Sequence, residues 1–220
     1  MAQILVPLHI EGQGQPARLR VAAAPAGGSG FLPLFAKRFS LSDDVKLSGD
    51  KAWRYSTAVA GWPPRGLTWT LEALGPTLPC SILGTSLFGA LCLASMKAVA
   101  EMNACHTWAI GTVGRLARAA AIDRVAVSAA ADLDGSSFYP VGYIERKLEA
   151  LANQKDCAVV IVAHKQEIKL PVDHHRDVGG EYEMVTVPGR QPLPVIRAFN
   201  PVDALERICL MQSRSALHSA

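Results

Sequence analysis

The longest run of the chain without a charged residue lies between Glu72 and Lys97, and its second half is largely apolar. A membrane-spanning helix needs about 20 apolar residues. Two prolines and a glycine interrupt the start of the run, which leaves a shorter segment rich in alanine, leucine, serine and glycine. We therefore predict a helix from Leu87 to Met102 that is buried in a protein core and does not cross a membrane.

Composition places the chain among ordinary globular proteins. It has 220 residues, of which half are hydrophobic and 19% are charged, with a formal net charge of +3. This length is sufficient to bury a core without disulfide or metal staples, and the balance of charges gives no indication of nucleic-acid binding. We predict one domain over residues 1–220, with a strand-rich amino-terminal part over residues 1–60.

Cysteine usage and the amino-terminus indicate a cytoplasmic protein. The five cysteines include no C-x-x-C pair, which argues against a disulfide framework or a zinc ribbon. The first residues, Met1 to Pro7, lack the basic and long apolar regions of a secretory signal. We expect reduced thiols, no cofactor and no metal.

Hydrophobic patterns in the first half predict mostly strands. Residues 4–10 and 17–24 fit a hairpin around Gly12–Gly14. Residues 40–50 are polar and turn-rich, whereas 53–60 and 67–73 read as a pair of strands.

The second half alternates strands and helices. A polar stretch over 164–192 reads as loop, and Asn200-Pro201 starts the last helix, which is predicted to end near Met211. The other predicted elements are a short basic helix within 103–121, strands at 124–130, 138–141, 158–163 and 194–198, and a helix at 144–153. Alternation in one half only indicates an α+β fold.

Three motifs follow one another in this second part of the chain. Gly84-Thr85-Ser86-Leu87 opens the alanine- and leucine-rich helix. The apolar strand Val125 to Ser128 precedes the turn Asp132-Leu133-Asp134-Gly135. The run Tyr139-Pro140-Val141-Gly142-Tyr143-Ile144-Glu145-Arg146-Lys147-Leu148 then leads, through a helix, to another apolar strand.

In this order the motifs resemble the proteolytic domain of Lon proteases, over about residues 67–211. The resemblance implies the α+β fold of that domain (ribosomal protein S5 domain 2-like), with mixed sheets packed with helices. It also implies a serine peptidase with Ser86 as nucleophile and Lys147 as general base. Thr85, Leu87 and Ser128 would line the substrate and oxyanion site.

General chemistry is consistent with this assignment. A serine hydroxyl becomes a good nucleophile only when a base takes its proton. A lysine can act as that base only when it is neutral, and burial favours the neutral amine. Backbone N–H groups at a helix start can stabilise an oxyanion, each typically by about 3–4 kcal/mol.

The sequence departs from the family pattern near both catalytic residues. Leu87 and Phe88 replace a small Ala-Gly pair after the serine and are expected to crowd the oxyanion site. Tyr143 stands where the family has a second glycine, and Ala129-Ala130 replace a Gly-Glu pair after the middle strand.

Several alternatives remain open. Ser81 is a rival nucleophile, Ser86 fits a helix N-cap, Lys147 fits a solvated helix lysine, and Ser128 fits the end of a buried strand. Cys105-His106 is a weaker thiol–base pair because adjacent side chains rarely face each other. The polar stretch contains a possible metal-binding set, for which we prefer a solvated surface: His164, Glu167, Asp173, His174 and His175.

No phosphate-binding loop of the Gly-x-x-x-x-Gly-Lys-Ser/Thr type is present, so this chain carries no ATPase of the kind that serves most Lon enzymes. The expected partner is a polypeptide substrate, with neither nucleic acid nor membrane. The resemblance implies a homo-oligomer, with a separate ATPase or adaptor as a possible partner. The alternative function is an inactive Lon-fold module with a structural or interaction role.

Overall fold

A computed structural model gives the fold of the chain. It describes residues 1–10, 12–24, 31–33, 40–60, 66–74, 81–82, 85–103, 123–177 and 180–217. A large mixed sheet, packed with helices on both faces, forms the centre of this described part.

The sheet has nine strands in the order β11-β12-β13-β10-β7-β1-β2-β5-β3. They are β1 (Ala2–Ile10), β2 (Gln13–Ala23), β3 (Phe31–Pro33), β5 (Leu67–Ala73), β7 (Val125–Ser128), β10 (Val159–Ala163), β11 (Val172–Asp177), β12 (Gly180–Val185) and β13 (Leu193–Ala198). Two short pairs stand apart: β4 (Ser40–Leu41) with β6 (Ser81–Ile82), and β8 (Ala130–Ala131) with β9 (Phe138–Tyr139).

Four of the strands, β1, β7, β10 and β13, are parallel neighbours. Their carboxyl ends therefore meet at one edge of the sheet, which we call the carboxyl edge. In sheets of this kind, such an edge is where side chains from several strand ends converge on one site.

The first face of the sheet holds most of the core. Helices α1 (Asp43–Ala60), α2 (Phe88–Asn103) and α4 (Pro201–Leu217) pack on this side. From Leu87 to Ala100, every side chain of α2 except that of Lys97 is buried, because α2 lies between the sheet and its neighbouring helices. Each fully buried leucine, valine, methionine or phenylalanine side chain there contributes about 1.5–3 kcal/mol of hydrophobic stabilisation.

The opposite face is covered by the short helix α3 (Ile144–Leu151). Its apolar side chains Ile144, Leu148 and Leu151 join a second cluster with alternate residues of the central strands. Because side chains alternate between the two faces along a strand, Val160 and Val162 in β10 point towards α3, whereas Val159 and Ile161 point towards α2.

Several predicted elements are confirmed with small changes of boundary. The hairpin is observed as the antiparallel pair β1–β2, the strand 67–73 is observed as β5, and the buried helix is observed as α2. Asn200 caps α4, since its side-chain oxygen accepts a hydrogen bond from the Asp203 N–H at 2.9 Å. No helix within the described ranges is long and apolar enough to cross a membrane.

Some predictions were wrong. Residues 43–50, within the stretch predicted to be turn-rich, form the first half of α1. Residues 53–60, predicted as a strand, form the second half of α1, where burial of Ala52 and Ser56 against α2 outweighs the strand preference of their aromatic and β-branched neighbours. The predicted loop 164–192 contains the hairpin β11–β12. The final helix also continues to Leu217, beyond the predicted end. The basic helix predicted within 103–121 lies almost entirely outside the described residues.

Candidate functional site

Ser86 lies at the entrance of α2, next to the carboxyl edge. The N–H of Gly89, in the first turn, donates to the carbonyl of Ala129 just after β7, at 3.0 Å. The Phe88 N–H donates to the Thr85 carbonyl at 3.2 Å, which forms the turn that carries Ser86. These two contacts tie the start of α2 to the end of a central strand.

The hydroxyl of Ser86 is half-exposed and makes no hydrogen bond with any other described residue. The alternative role of Ser86 as a side-chain cap of α2 therefore has no support in this geometry, because a cap hydroxyl accepts a hydrogen bond from the first turn. Thr85 is exposed beside it, whereas the Leu87 side chain is buried in the core.

The sequence led us to expect that Leu87 and Phe88 crowd the surface next to Ser86. In the structure they do not. Both side chains are buried in the first-face core, where Phe88 meets Phe138 edge to face with ring centroids 6.3 Å apart. The next residue, Gly89, lies where α2 is very close to β7. A Cβ at this position would stand 2.9 Å from the Val127 side chain.

Lys147 is buried although it is a lysine on a short helix. It lies on the sheet-facing side of α3, together with Ile144, Leu148 and Leu151, and only 4% of it is exposed. Its amine makes no hydrogen bond or ion pair within the described part of the chain. Lysines this deeply buried are rare unless they are paired. Desolvation lowers the pKa of Lys147 from 10.5 to about 8.

Ser128 is the second unpartnered polar group on this face. It is 1% exposed at the end of β7, and its Oγ has no hydrogen-bond partner among the described residues. Its neighbour in the sheet, Val162, belongs to the cluster beneath α3. Strand alternation therefore places the Ser128 hydroxyl on the same face of the sheet as Lys147.

The start of α3 is fixed next to the carboxyl edge by a ring contact. Tyr143, the residue before the helix, adopts a left-handed conformation with φ 58° and ψ 35°. Its ring stacks on His9 near the end of β1, with centroids 3.9 Å apart. A left-handed backbone is costly for a residue with a side chain, so the stack offsets the loss of the glycine that the family pattern has here.

Gln166 secures the segment that leads into α3. Its buried side chain accepts a hydrogen bond from the Val141 N–H at 2.8 Å and donates to the Val141 carbonyl at 3.2 Å. Glu145 adds a bond by accepting from the Lys169 N–H at 3.0 Å. Sequence reasoning missed Gln166, His9 and Gly89, because their roles depend on contacts between segments that are distant in the chain.

The structure does not join the two catalytic candidates, which belong to segments that pack on opposite faces of the sheet. Ser86 and Ser128 flank the end of β7, and α3 begins beside the end of β1, next to β7 in the sheet. No hydrogen bond links the Ser86 hydroxyl to the Lys147 amine. Neutral lysine has a flexible four-carbon stem, and catalytic contacts often tighten only when substrate is bound.

The remaining candidates contribute less. Ser81 belongs to the short strand β6, and its side chain lies outside the described part, as do Cys105 and His106. Within the described ranges, no group of three or more histidine, cysteine, aspartate or glutamate residues could hold a metal ion. His174 and His175 lie on β11, where their side chains point to opposite faces.

Comparison of the chain with protein-family models and with curated proteins found no match.

Proposed function

We propose that this protein is a Lon-like serine peptidase in which Ser86 is the nucleophile and Lys147 is the general base. The observation that carries the proposal is the burial of Lys147 on an otherwise apolar helix face, without a counter-charge among the described residues. A structural lysine gains nothing from such a position, whereas a general base needs a pKa close to the working pH.

In the proposed reaction, the neutral Lys147 amine takes the proton of the Ser86 hydroxyl while the serine oxygen bonds to the carbonyl carbon of the substrate. The protonated lysine then returns the proton to the leaving amine as the C–N bond breaks. Water hydrolyses the resulting ester and restores Ser86.

The start of α2 supplies the proposed oxyanion site. Negative charge that develops on the substrate oxygen is favoured near the positive end of a helix. Neither the Ser86 nor the Leu87 N–H takes part in a turn or loop hydrogen bond with another described residue, whereas the Phe88 and Gly89 N–H groups do. Thr85, on the exposed side, would contact the substrate chain.

Ser128 is proposed to orient Lys147. Its buried hydroxyl needs a partner, and the lysine amine lies on the same face of the sheet. A hydrogen bond donated by the neutral amine to the Ser128 oxygen would hold the base at the end of β7 and leave the amine lone pair free to accept the Ser86 proton. Ser128 is too deeply buried to act as the nucleophile itself.

A second candidate function is a Lon-fold module without catalytic activity. The lack of a hydrogen bond between Ser86 and Lys147 favours it, as does the replacement of a glycine and a carboxylate by Ala129 and Ala130. Burial of Leu87 and Phe88 in the core removes the other reason for suspecting an inactive site, since neither side chain obstructs Ser86.

The location, substrates and partners of the proposed enzyme are also proposals. We infer a cytoplasmic peptidase that acts on unfolded polypeptides, assembles as a homo-oligomer, and relies on a separate ATPase or adaptor for folded substrates.

Hydrolysis of unfolded casein tests the proposal. We expect cleavage by the native chain, no cleavage by Ser86→Ala, and normal cleavage by Ser81→Ala as the matched control. Loss of cleavage in Ser81→Ala alone would move the nucleophile to Ser81, and equal cleavage by all three proteins would remove Ser86 from the reaction. A native chain that folds but cleaves nothing would support the inactive module.

A further inference from the structure

A pocket of about 370 Å³ lies where the hairpin β11–β12 separates from the sheet. Pairing between β12 and β13 is limited to three residue pairs and ends at Glu183 opposite Val195. Beyond this point the pocket lies between the two strands, and α4 contributes Arg207 to its wall. Its volume is in the range of sites for small ligands.

The walls are rich in hydrogen-bond donors. Six cationic or imidazole side chains line the pocket: His164, His174, His175, Arg176, Arg197 and Arg207. Two carboxylates, Glu181 and Glu183, also line it. Each carboxylate lies within 4 Å of an arginine, in the pairs Arg176–Glu181 at 3.6 Å and Arg197–Glu183 at 2.6 Å.

In each of these pairs, the arginine side chain is more exposed than the carboxylate side chain. The Arg197 side chain is 27% exposed and that of Glu183 is 8% exposed, and the same order holds for Arg176 over Glu181. Arg207 is likewise more exposed than its partner Asp203. Of the two carboxylates that line the pocket, Glu183 is withdrawn, whereas Glu181 is itself 67% exposed.

Glu183 fixes one of these guanidinium groups in place. Its Oε1 accepts a hydrogen bond from Arg197 Nε, and its Oε2 is buried, without a partner in the described part of the chain. Arg197 Nη1 also donates to the backbone carbonyl of Gln166. A guanidinium carries five N–H donors, so these contacts orient Arg197 and leave its Nη2 group for a ligand.

Arg207 is held in a similar way. Its Nε donates to Asp203 Oδ1 at 2.8 Å, one turn earlier in α4. Both Nη groups stay without a hydrogen bond or ion pair to another described residue. Two arginines anchored through Nε, with Nη donors remaining, suit the two or three oxygens of a carboxylate or phosphate.

We infer that this pocket binds the oxyanion group of a small ligand, either a carboxylate or a phosphate, with Arg197 and Arg207 as its donors. The inference does not depend on the peptidase proposal, because the pocket includes neither Ser86 nor Lys147.

Isothermal titration calorimetry on the full chain tests the inference with four probes: inorganic phosphate, N-acetylglutamate, its neutral counterpart N-acetylglutamine, and N-acetyl-lysine amide. We expect millimolar or tighter binding of phosphate or N-acetylglutamate, weakened by added salt, and much weaker binding of the other two. Binding of phosphate alone or of N-acetylglutamate alone would support the site and identify the source of the oxyanion.

Arg207→Gln is the informative variant, since Arg207 lies on the exposed side of a helix. We expect it to weaken binding about tenfold, as for the loss of one charged hydrogen bond. Arg190→Gln, on the exposed turn before β13 and outside the pocket, is the matched control and should bind as the native chain does. Thermal melting checks that both variants are folded.

Three results would overturn the inference. One is the absence of binding by either anion. Another is binding of N-acetylglutamine or N-acetyl-lysine amide at least as tight as that of the anions, which would indicate recognition of an amide or a cation. The third is an equal effect of Arg207→Gln and Arg190→Gln, which would place the anion elsewhere on the surface.

Discussion

Gly14 in β2 lies directly against the backbone of Arg146 in α3, so close that a Cβ on Gly14 would stand 1.8 Å from the Arg146 carbonyl oxygen. Only glycine allows this approach. The contact sets the height of α3 above the β1–β2 hairpin, and therefore the position of Lys147, the next residue along the helix. The hairpin and the proposed catalytic base are thus mechanically linked.

Gly14→Ala should displace α3. The new methyl group would also meet the Ala150 Cβ at 3.1 Å, so the helix as a whole must shift. We expect the free energy of unfolding to fall by about 3 kcal/mol, as for severe overpacking, and any Lys147-dependent activity to fall with it. Chemical denaturation measures the loss.

Gly142→Ala is the control for this variant. It stands just before α3, and its added Cβ would meet no atom within 4 Å. Stability within about 0.5 kcal/mol of the native value is expected, as for an ordinary surface change. Equal stabilities of the Gly14 and Gly142 variants would contradict the close contact.

Lys147→Met should stabilise the protein at neutral pH. Burial lowers the pKa of Lys147 from 10.5 to about 8, so below pH 8 the folded state carries a buried charge that the unfolded state carries in water. The cost is roughly 3 kcal/mol, and methionine of similar size removes it. Thermal melting at pH 7 should show a higher Tm for the variant.

The gain should shrink as pH rises from about 8 to 10.5, because the folded native chain then loses the Lys147 proton at a lower pH than the unfolded chain does. Over this window Lys147 makes native stability rise with pH. A gain that is absent at pH 7 would show that Lys147 is solvated, and a gain that is the same at pH 7 and pH 10 would show that it does not arise from the charge on the amine.

Activity should follow the titration of the same amine. In the proposed dyad, Lys147 would accept the Ser86 proton only when neutral, so kcat/KM for a peptide substrate should increase about tenfold for each pH unit below 8 and level off above it. A pH series from 6 to 10, on a protein shown to stay folded, measures the profile. Lys147→Arg should be inactive throughout, and a profile that is flat across pH 8 would count against Lys147 as the base.

Ser128→Ala separates a positioning role from a packing role. The Ser128 hydroxyl is buried without a partner in the described part of the chain, so its removal should leave stability unchanged or raise it by about 1 kcal/mol. If Ser128 orients Lys147, hydrolysis should nevertheless fall and the pH midpoint of kcat/KM should move.

Ser48→Ala is the matched control, because Ser48 is equally buried but donates a hydrogen bond to the Asp44 carbonyl at 2.8 Å. Its loss should cost about 1 kcal/mol and leave the pH midpoint unchanged. If Ser128→Ala leaves both hydrolysis and the pH midpoint of kcat/KM unchanged, Ser128 contributes only to packing and does not orient Lys147.

The sequence predicted elements whose stability depends on local patterns. The apolar alternation of Leu67, Trp69 and Leu71 matches β5, and the Asn200-Pro201 start signal matches α4. The sequence left open whether Lys147 is a buried base or a solvated helix lysine, and the structure shows it buried beside Leu148 and Leu151.

Elements set by distant contacts were harder to predict. Helix α1 carries a readable start signal, with the Ser42 hydroxyl near the Val45 N–H and acidic residues in the first turn, but its later residues favour strands on their own. The edge hairpin β11–β12 lacks apolar alternation because the outermost strand is polar on both faces, as edge strands often are.

The site was predictable in its residue types and not in its geometry. The motifs placed a serine at a helix start and a lysine on a second helix, whereas the contacts that locate the helices join distant segments: His9 with Tyr143, Gly14 with Arg146, and Gln166 with Val141. Contacts of this kind between distant segments produce no periodic pattern in a single sequence.

Labelling with a serine-directed peptide phosphonate, followed by mass mapping of the modified residue, tests the central claim most directly. The account predicts one modified residue, Ser86, in the native chain, with labelling lost in Lys147→Met and retained in Ser81→Ala. Modification of another serine, or labelling of Ser86 that is unchanged in Lys147→Met, would contradict a dyad of Ser86 and Lys147.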